Sequence, residues 1–445
     1  MRRLFGTSGV RGVVGREITP EMFTRLGKSL SSYLGGCGEV VVGRDPRTSG
    51  EMLESAFISG LLAGGCDVRR VGIVPTPLVS FAVRRLGAKA GVVITASHNP
   101  PEYNGIKFWD SEGWAYLPEA EEEIERIYFS QRWAAVEWNA IGKVEDTDIA
   151  REYLEKMERA VEVDGERTVV VDCGNGATSN ITPVALREVG CKVISVNCQM
   201  DGRFPGRGLE PTEASLRDLC SIVRGVGADL GIAHDGDGDR VVAVDERGNV
   251  VPGDELLAVV AAEEIEKGDV VVTTVDASRV VEDVVEKKGG KVVRCSVGDV
   301  NVAQTMRKHG GAFGGEPCGA WIFPEFSHAP DGPFGALKIL ELMGKEKISK
   351  IIGDLPKYSM VRKKIYCQRE IVGKAMEEIE EKLPKKVSAT KILKLDGLRV
   401  EADDGWVLVR PSGTEPCIRI TAEGKTGKVA EDLANAAAEI LKVAK

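Results

Sequence analysis

The chain has no apolar run long enough to cross a bilayer, and its opening MRRLFGTSGV has no apolar core, because Gly6, Thr7 and Ser8 follow at once. A span needs about 20 apolar residues in a row and a signal peptide roughly 7–15, so neither is expected and a cytoplasmic location is. Dense basic runs are also missing, and the net charge is −9. That balance argues against nucleic acid or an anionic membrane as the main partner, while leaving a few local arginines free to hold phosphate. The ten cysteines include no C-x-x-C pair. Neither a disulfide framework nor a zinc cage is suggested, and the thiols read as reduced, small core residues.

Two common signatures fail as well. Ser97 lies in a loop but lacks the G-x-S-x-G setting of a hydrolase nucleophile elbow, its flanks being Thr95 and Asn99. The run GNGA at 174–177 follows an apolar strand, yet Ser179 stands at the third glycine place of a dinucleotide fingerprint and Asn197, not an acid, ends the next strand. A nicotinamide cofactor is therefore not expected.

What is present is repetition. A chain of 445 residues divides into roughly three or four domains. A Val-rich strand entering a polar or Gly loop occurs three times: EVVVGRDPR at 39–47, TVVVDCGNGA at 168–177 and DVVVTTVDAS at 269–278. Each precedes a helical stretch closed by glycine, a second strand, and then a strand ending in a polar loop: GVVITASHNP, LGIAHDGDGDR and GAFGGEPCGA. Such units predict parallel βαβ layers with helices on both faces. After LPKYSMVRKK, a hinge candidate at 355–364, the pattern changes to a helix, short strands and a closing Ala-rich helix. The expected fold is α/β, with four domains around a central cleft. Three are similar mixed α/β sandwiches at 1–146, 147–248 and 249–357, and a smaller α+β domain occupies 358–445.

The polar loops carry the chemistry. In open α/β sheets ligands gather beyond the carboxyl ends of strands, which makes Ser97 a candidate nucleophile. In DGDGDR, Asp235, Asp237 and Asp239 alternate with glycines, so the loop can curl and aim three carboxylates at one hard cation, Mg²⁺ by preference. The run is not an EF-hand, because Arg240 occupies the place of the turn glycine and DLGIAH enters as a strand. VRPSGTEP offers Arg410, Ser412, Gly413 and Thr414, with Arg419 on the strand after it. A guanidinium, two hydroxyls and an accessible amide can hold a phosphate without metal.

Taken together, FGTSGVRG at 5–12, TASHNP at 95–100, YNGIKF at 103–108, DGDGDR at 235–240, GGEPCGA at 314–320 and RPSGTEP at 410–416 resemble the α-D-phosphohexomutase superfamily in its own motif order. The resemblance spans essentially the whole chain and implies a phosphosugar mutase. Ser97 would be carried as phosphoserine, and Mg²⁺ would be held by Asp235, Asp237, Asp239 and the phosphorylated Ser97. Phosphate would move between C6 and C1 through a bisphosphosugar. Arg11 and Lys107 would stabilise the transferring group, Lys107 also acting as general acid or base where a desolvated cationic site lowers its pKa. His98 would assist Ser97, and Arg240 would follow the metal loop into the site. Arg410, Ser412, Gly413, Thr414 and Arg419 would clamp the idle phosphate.

Many members read Glu-x-Ser-Gly-His in the sugar loop, where this chain has Glu316, Pro317, Cys318, Gly319 and Ala320. Glu316 can still take two hydroxyls, whereas Cys318 is a weaker partner. Gly298 and Asp299 in SVGDVNV resemble the phosphoglucosamine mutase branch of archaeal type, and Asp299 could pair with the 2-ammonium of glucosamine. Glucosamine 6-phosphate is the expected substrate, with mannose or glucose phosphates as the near alternative. A magnesium-dependent sugar phosphatase or a non-catalytic phosphosugar-binding protein is the alternative of another class. The expected partners are the phosphosugar and its bisphosphate, in a monomer or homodimer.

Overall fold

The computed structural model describes residues 4–6, 8–412 and 416–443. Three of its sheets repeat one strand order. In the first, Tyr103–Trp109, Ala90–Ile94, Glu39–Arg44 and Asp67–Ile73 lie side by side. In the second the order is Val241–Val244, Leu230–His234, Thr168–Asp172 and Lys192–Val196. In the third it is Trp321–Ile322, Phe313–Gly315, Val270–Thr274 and Lys291–Cys295. The last three strands of each set run parallel, and the first is antiparallel to its neighbour. The first sheet is extended at its two edges by Val10–Val13 and Val144–Asp146.

This order has a direct consequence for the site. Residues 95–102, 235–240 and 316–320 each link a buried parallel strand to its antiparallel neighbour, so the three polar loops occupy the same topological position. The strand sequences explain themselves: Ala90–Ile94 is buried throughout, with Val92, Val93 and Ile94 at 0 % exposure. Burying each such β-branched side chain stabilises the fold by about 1.5–3 kcal/mol.

One apolar cluster, from Val41 to Ile352, runs through all three units. Tyr153 is at the junction, its ring 5.3 Å from Phe81 and 5.6 Å from Phe326, and its hydroxyl donates to Asp331 Oδ1 at 2.7 Å. The first three units therefore pack as one body.

The final unit differs as expected. Its sheet, Ser359–Tyr366, Cys417–Gly424, Gly405–Pro411, Leu398–Ala402 and Lys391–Leu393 in spatial order, is antiparallel at every step. Helices Arg369–Lys386 and Gly427–Val443 cover it, and it has a core of its own. It meets the rest through Val275, Trp406 and Leu408. There the buried Arg399 guanidinium stacks 3.7 Å from the Trp406 ring centroid and donates to the carbonyls of Val275 and Ala277 at 2.7 and 2.9 Å. Glu423 Oε1 accepts from Trp406 Nε1 and from the Arg279 amide. In the connecting stretch, Lys357 donates to Glu255 and Tyr358 to Asp283, which ties its start to the third unit.

Candidate active site

The strand Ala90–Ile94 ends at Thr95, whose Oγ1 donates to Asp45 Oδ2 at 2.7 Å and accepts the Ser97 amide at 2.8 Å. Ser97 has φ +50°. A non-glycine residue in this left-handed region carries roughly 1–2 kcal/mol of strain. Its Oγ donates to Asp235 Oδ2 at 2.7 Å and lies 3.3 Å from His98 Nδ1.

The acidic loop is drawn in from two sides. Gly236 lies where a Cβ would come within 2.7 Å of the Ser97 carbonyl oxygen, so only glycine permits the approach. At the start of helix Thr76–Leu86, Thr76 donates its amide to Asp237 O at 2.8 Å and its hydroxyl to Asp237 Oδ2 at 2.7 Å. Asp235 Oδ1 accepts the amides of Gly238 and Arg240 at 3.1 and 3.3 Å. One oxygen from each of Asp235, Asp237 and Asp239 then lies within 4.8 Å of the others, all buried. Lys107, on the strand beside the serine strand, donates to Asp237 Oδ2 at 2.9 Å and Asp239 Oδ2 at 2.6 Å.

Burial pushes the Asp235 carboxyl well above the usual carboxylate range, and Asp239 and Asp237 add to the push. For Asp237 burial acts upward too, but the Lys107 ammonium and its hydrogen bonds outweigh it, and the net shift is downward. Burial alone would lower Lys107, yet Asp237 and Asp239 raise it. The lowered pKa expected for Lys107 is thus corrected: two carboxylates in contact hold it as an ammonium. His98 is lowered to about 4, first by burial and then by Arg240, and stands as a neutral imidazole.

The donor set suits a hard divalent cation. Asp237 Oδ1 and Asp239 Oδ1 are buried without a hydrogen-bond partner, a costly arrangement that an ion would relieve. Mg²⁺ favours such oxygens and keeps positions open for phosphate.

The other expected residues divide into two groups. Arg11 Nη1 donates to Asn99 Oδ1 at 3.4 Å, beside the serine loop. Arg240 Nη1 donates to Glu210 Oε1 at 2.6 Å, and Glu210 Oε2 is 3.6 Å from His98 Nε2. Arg240 pairs through its backbone with Ala320, which sets the sugar loop against the acidic loop. Glu316 Oε2 accepts the Gly298 amide at 2.9 Å, and burial, with Asp299 adding to it, raises its carboxyl to about 8. Asp299 Oδ2 accepts from Ser8 Oγ at 3.4 Å, and burial pushes the Cys318 thiol up to about 12. Arg410 is bound to Asp396 at 2.7 Å and lies opposite Arg419 on the neighbouring strand. With Ser412 they belong to the fourth unit, outside the body that gathers the other loops. Gly413 and Thr414 lie outside the described residues.

Thr76, Glu210 and Arg47 escaped the sequence reading. Glu210, which bridges Arg240 and His98, carries no local signal. Arg47, whose guanidinium donates to the carbonyls of Ser97 and Asn99, did have one: an Asp-x-Arg run directly after the first repeated strand.

Four family models match in chain order: Phosphoglucomutase/phosphomannomutase, alpha/beta/alpha domain I at 2–135, domain II at 151–248 and domain III at 252–358, and the C-terminal domain at 365–440. The chain belongs to the phosphoglucomutase/phosphomannomutase family. Among its relatives in this family, a protein of Pyrococcus abyssi named "Probable phosphoglucosamine mutase" is 47% identical over 99% of this chain and 98% of its own length. One of Methanothermobacter thermautotrophicus with the same name is 48% identical over 95% and 94%. The solved structure of a phosphoglucomutase/phosphomannomutase family protein from Burkholderia thailandensis superimposes with a TM-score of 0.91 at 27% identity, over 100% of this chain and 98% of that one. As a member of this family of phosphohexomutases, the chain is an isomerase. No helix among the described residues is long and apolar enough to cross a membrane.

Proposed function

We propose that the chain interconverts glucosamine 6-phosphate and glucosamine 1-phosphate through a phosphoserine at position 97 and a bisphosphosugar. The observation that carries the chemistry is Ser97 Oγ 2.7 Å from Asp235 Oδ2, inside a buried cluster of three carboxylates and one ammonium. A hydroxyl held for turn geometry alone has no reason to sit there.

Asp235, Asp237 and Asp239, together with phosphorylated Ser97, would hold Mg²⁺. The ion would neutralise charge that builds on the phosphoryl oxygens. The sugar hydroxyl bonds to phosphorus as the bond from phosphorus to Ser97 Oγ breaks, leaving a bisphosphosugar and a free serine. Lys107, bonded to Asp237, Arg11, bonded to Asn99 of the serine loop, and Arg240, 3.9 Å from Asp239, would lend positive charge to that position. The bisphosphate then turns over and returns its other phosphoryl group to Ser97, so the enzyme regains its starting form. Arg410, Ser412, Gly413, Thr414 and Arg419 are the residues for the idle phosphate.

The amino sugar is supported by two observations. Relatives 46–48% identical carry a phosphoglucosamine mutase name. Asp299, beside Glu316 and Ser8, places a carboxylate at the sugar loop where a 2-ammonium could pair.

Intact mass spectrometry of the purified enzyme tests the covalent step: a phosphoryl increment is expected, and Ser97→Ala should remove both the increment and turnover. Coupled assays with glucosamine, glucose and mannose phosphates test the substrate. Slower turnover of glucosamine 6-phosphate than of the hexose phosphates would overturn that choice.

A further inference from the structure

Arg47 is 1% exposed, and each of its five guanidinium N–H groups has an acceptor. Nε donates to Asp45 Oδ2 at 2.9 Å, Nη1 to the carbonyls of Pro100 and Tyr103 at 2.6 and 2.9 Å, and Nη2 to those of Ser97 and Asn99 at 2.8 and 2.7 Å. No donor remains for a phosphate or a sugar, so the side chain does not bind substrate. It grips the serine loop through four backbone carbonyls, from Ser97 to Tyr103.

Asp45, the carboxylate that holds Nε, also accepts the Thr95 hydroxyl, and Thr95 Oγ1 accepts the Ser97 amide. The amide and the carbonyl of Ser97 are thus both committed to one network rooted in Arg47. This explains how a serine persists at φ +50°, where L-residues are strained.

The same side chain reads the second unit. The Phe204 ring lies 5.2 Å from the guanidinium, and Arg47 pairs through its backbone with Gly202, where a Cβ would meet Pro46 O at 2.2 Å. That segment is joined to Asn175 through the Gly206 and Asp201 amides, and the neighbouring Ala177 amide donates to Gly236 O in the acidic loop. A continuous set of contacts therefore runs from the guanidinium to both halves of the site.

We infer that Arg47 is a positioning residue: it imposes the left-handed backbone of Ser97 and registers the serine loop to the unit that carries Asp235, Asp237 and Asp239. This rests on the reading of Ser97 as phosphoryl carrier. Lysine cannot replace it, because an ammonium has three donors on a flexible stem where five fixed ones are used.

The test compares Arg47→Lys and Thr95→Val with the parent and with Ser97→Ala, across a range of glucosamine 6-phosphate concentrations from well below KM to saturation, with bisphosphosugar saturating. Misplacement of a reacting group by about 1 Å costs about 100-fold, so Arg47→Lys should lose about that factor in kcat. KM should stay within about twofold, since substrate contacts are untouched. Thr95→Val removes one hydroxyl and keeps the side-chain shape, so it should fold with a lowered melting temperature, the Ser97 amide and one Asp45 oxygen having lost a partner. It should lose about tenfold in kcat, and it decides the matter if Arg47→Lys does not fold. A folded Arg47→Lys or Thr95→Val with parental kcat, or a loss confined to KM, overturns the inference. If Ser97→Ala itself turns over substrate, the phosphoserine reading fails instead, and the two outcomes are distinct.

Discussion

Replacing Asp235 by asparagine should make the metal-free protein more stable while it destroys activity. Of the three carboxylates, Asp237 and Asp239 contact Lys107, whereas Asp235 is bonded to the Ser97 hydroxyl and to two backbone amides. Asparagine keeps those partners: its Oδ1 accepts the amides of Gly238 and Arg240, and its Nδ2 donates to Ser97 Oγ. What it removes is like-charge repulsion among oxygens within 4.8 Å. At an effective dielectric of about 20, one such pair repels by about 3 kcal/mol, and Lys107 offsets part of this, leaving a gain of roughly 1–3 kcal/mol. The melting temperature in EDTA should rise by a few degrees. In saturating Mg²⁺ the order should reverse, because binding at about 100 times Kd stabilises the parent by about 2.7 kcal/mol and the variant has lost a ligand. The sign with pH is fixed as well. Asp235 is raised in the folded state, so the parent loses stability as pH rises from the ordinary carboxylate range, and the variant's advantage should vanish below about pH 4. A variant that melts below the parent in EDTA, or one that gains as much from Mg²⁺, would refute the reasoning.

Glu316, raised from 4.5 to about 8 mainly by burial, weakens the fold as pH climbs through that window. Glu316→Gln should therefore gain on the parent, by about 1 kcal/mol or more, across that range and level off above it in melts at stepped pH. Arg399→Ala strips hydrogen bonds from the carbonyls of Val275 and Ala277 and uncovers Trp406. A cost of about 2–4 kcal/mol should split urea unfolding, the fourth unit leaving first, as followed by tryptophan fluorescence.

The repeat was legible because strand and turn chemistry are local: three Val-rich strands, each followed by a glycine-closed helix, already imply the sheets that form. Ser97 and the three aspartates were legible for a similar reason, since a hydroxyl after a buried strand and alternating Asp-Gly announce themselves within ten residues. The residues that hold them were not. Thr76, Glu210 and Arg47 meet their partners across 161, 30 and 50 positions of chain, through hydrogen bonds that leave no spacing to read.

Sequence alone determined which side chains could carry phosphate chemistry and on what kind of element each would sit. Only the tertiary structure decided the charge state of Lys107. Its pKa depends on whether burial or two carboxylates from another unit prevails, and at 2.9 and 2.6 Å the carboxylates do. It also decided that three units share one core while the fourth keeps its own, because packing of faces, unlike the faces themselves, is not written along the chain.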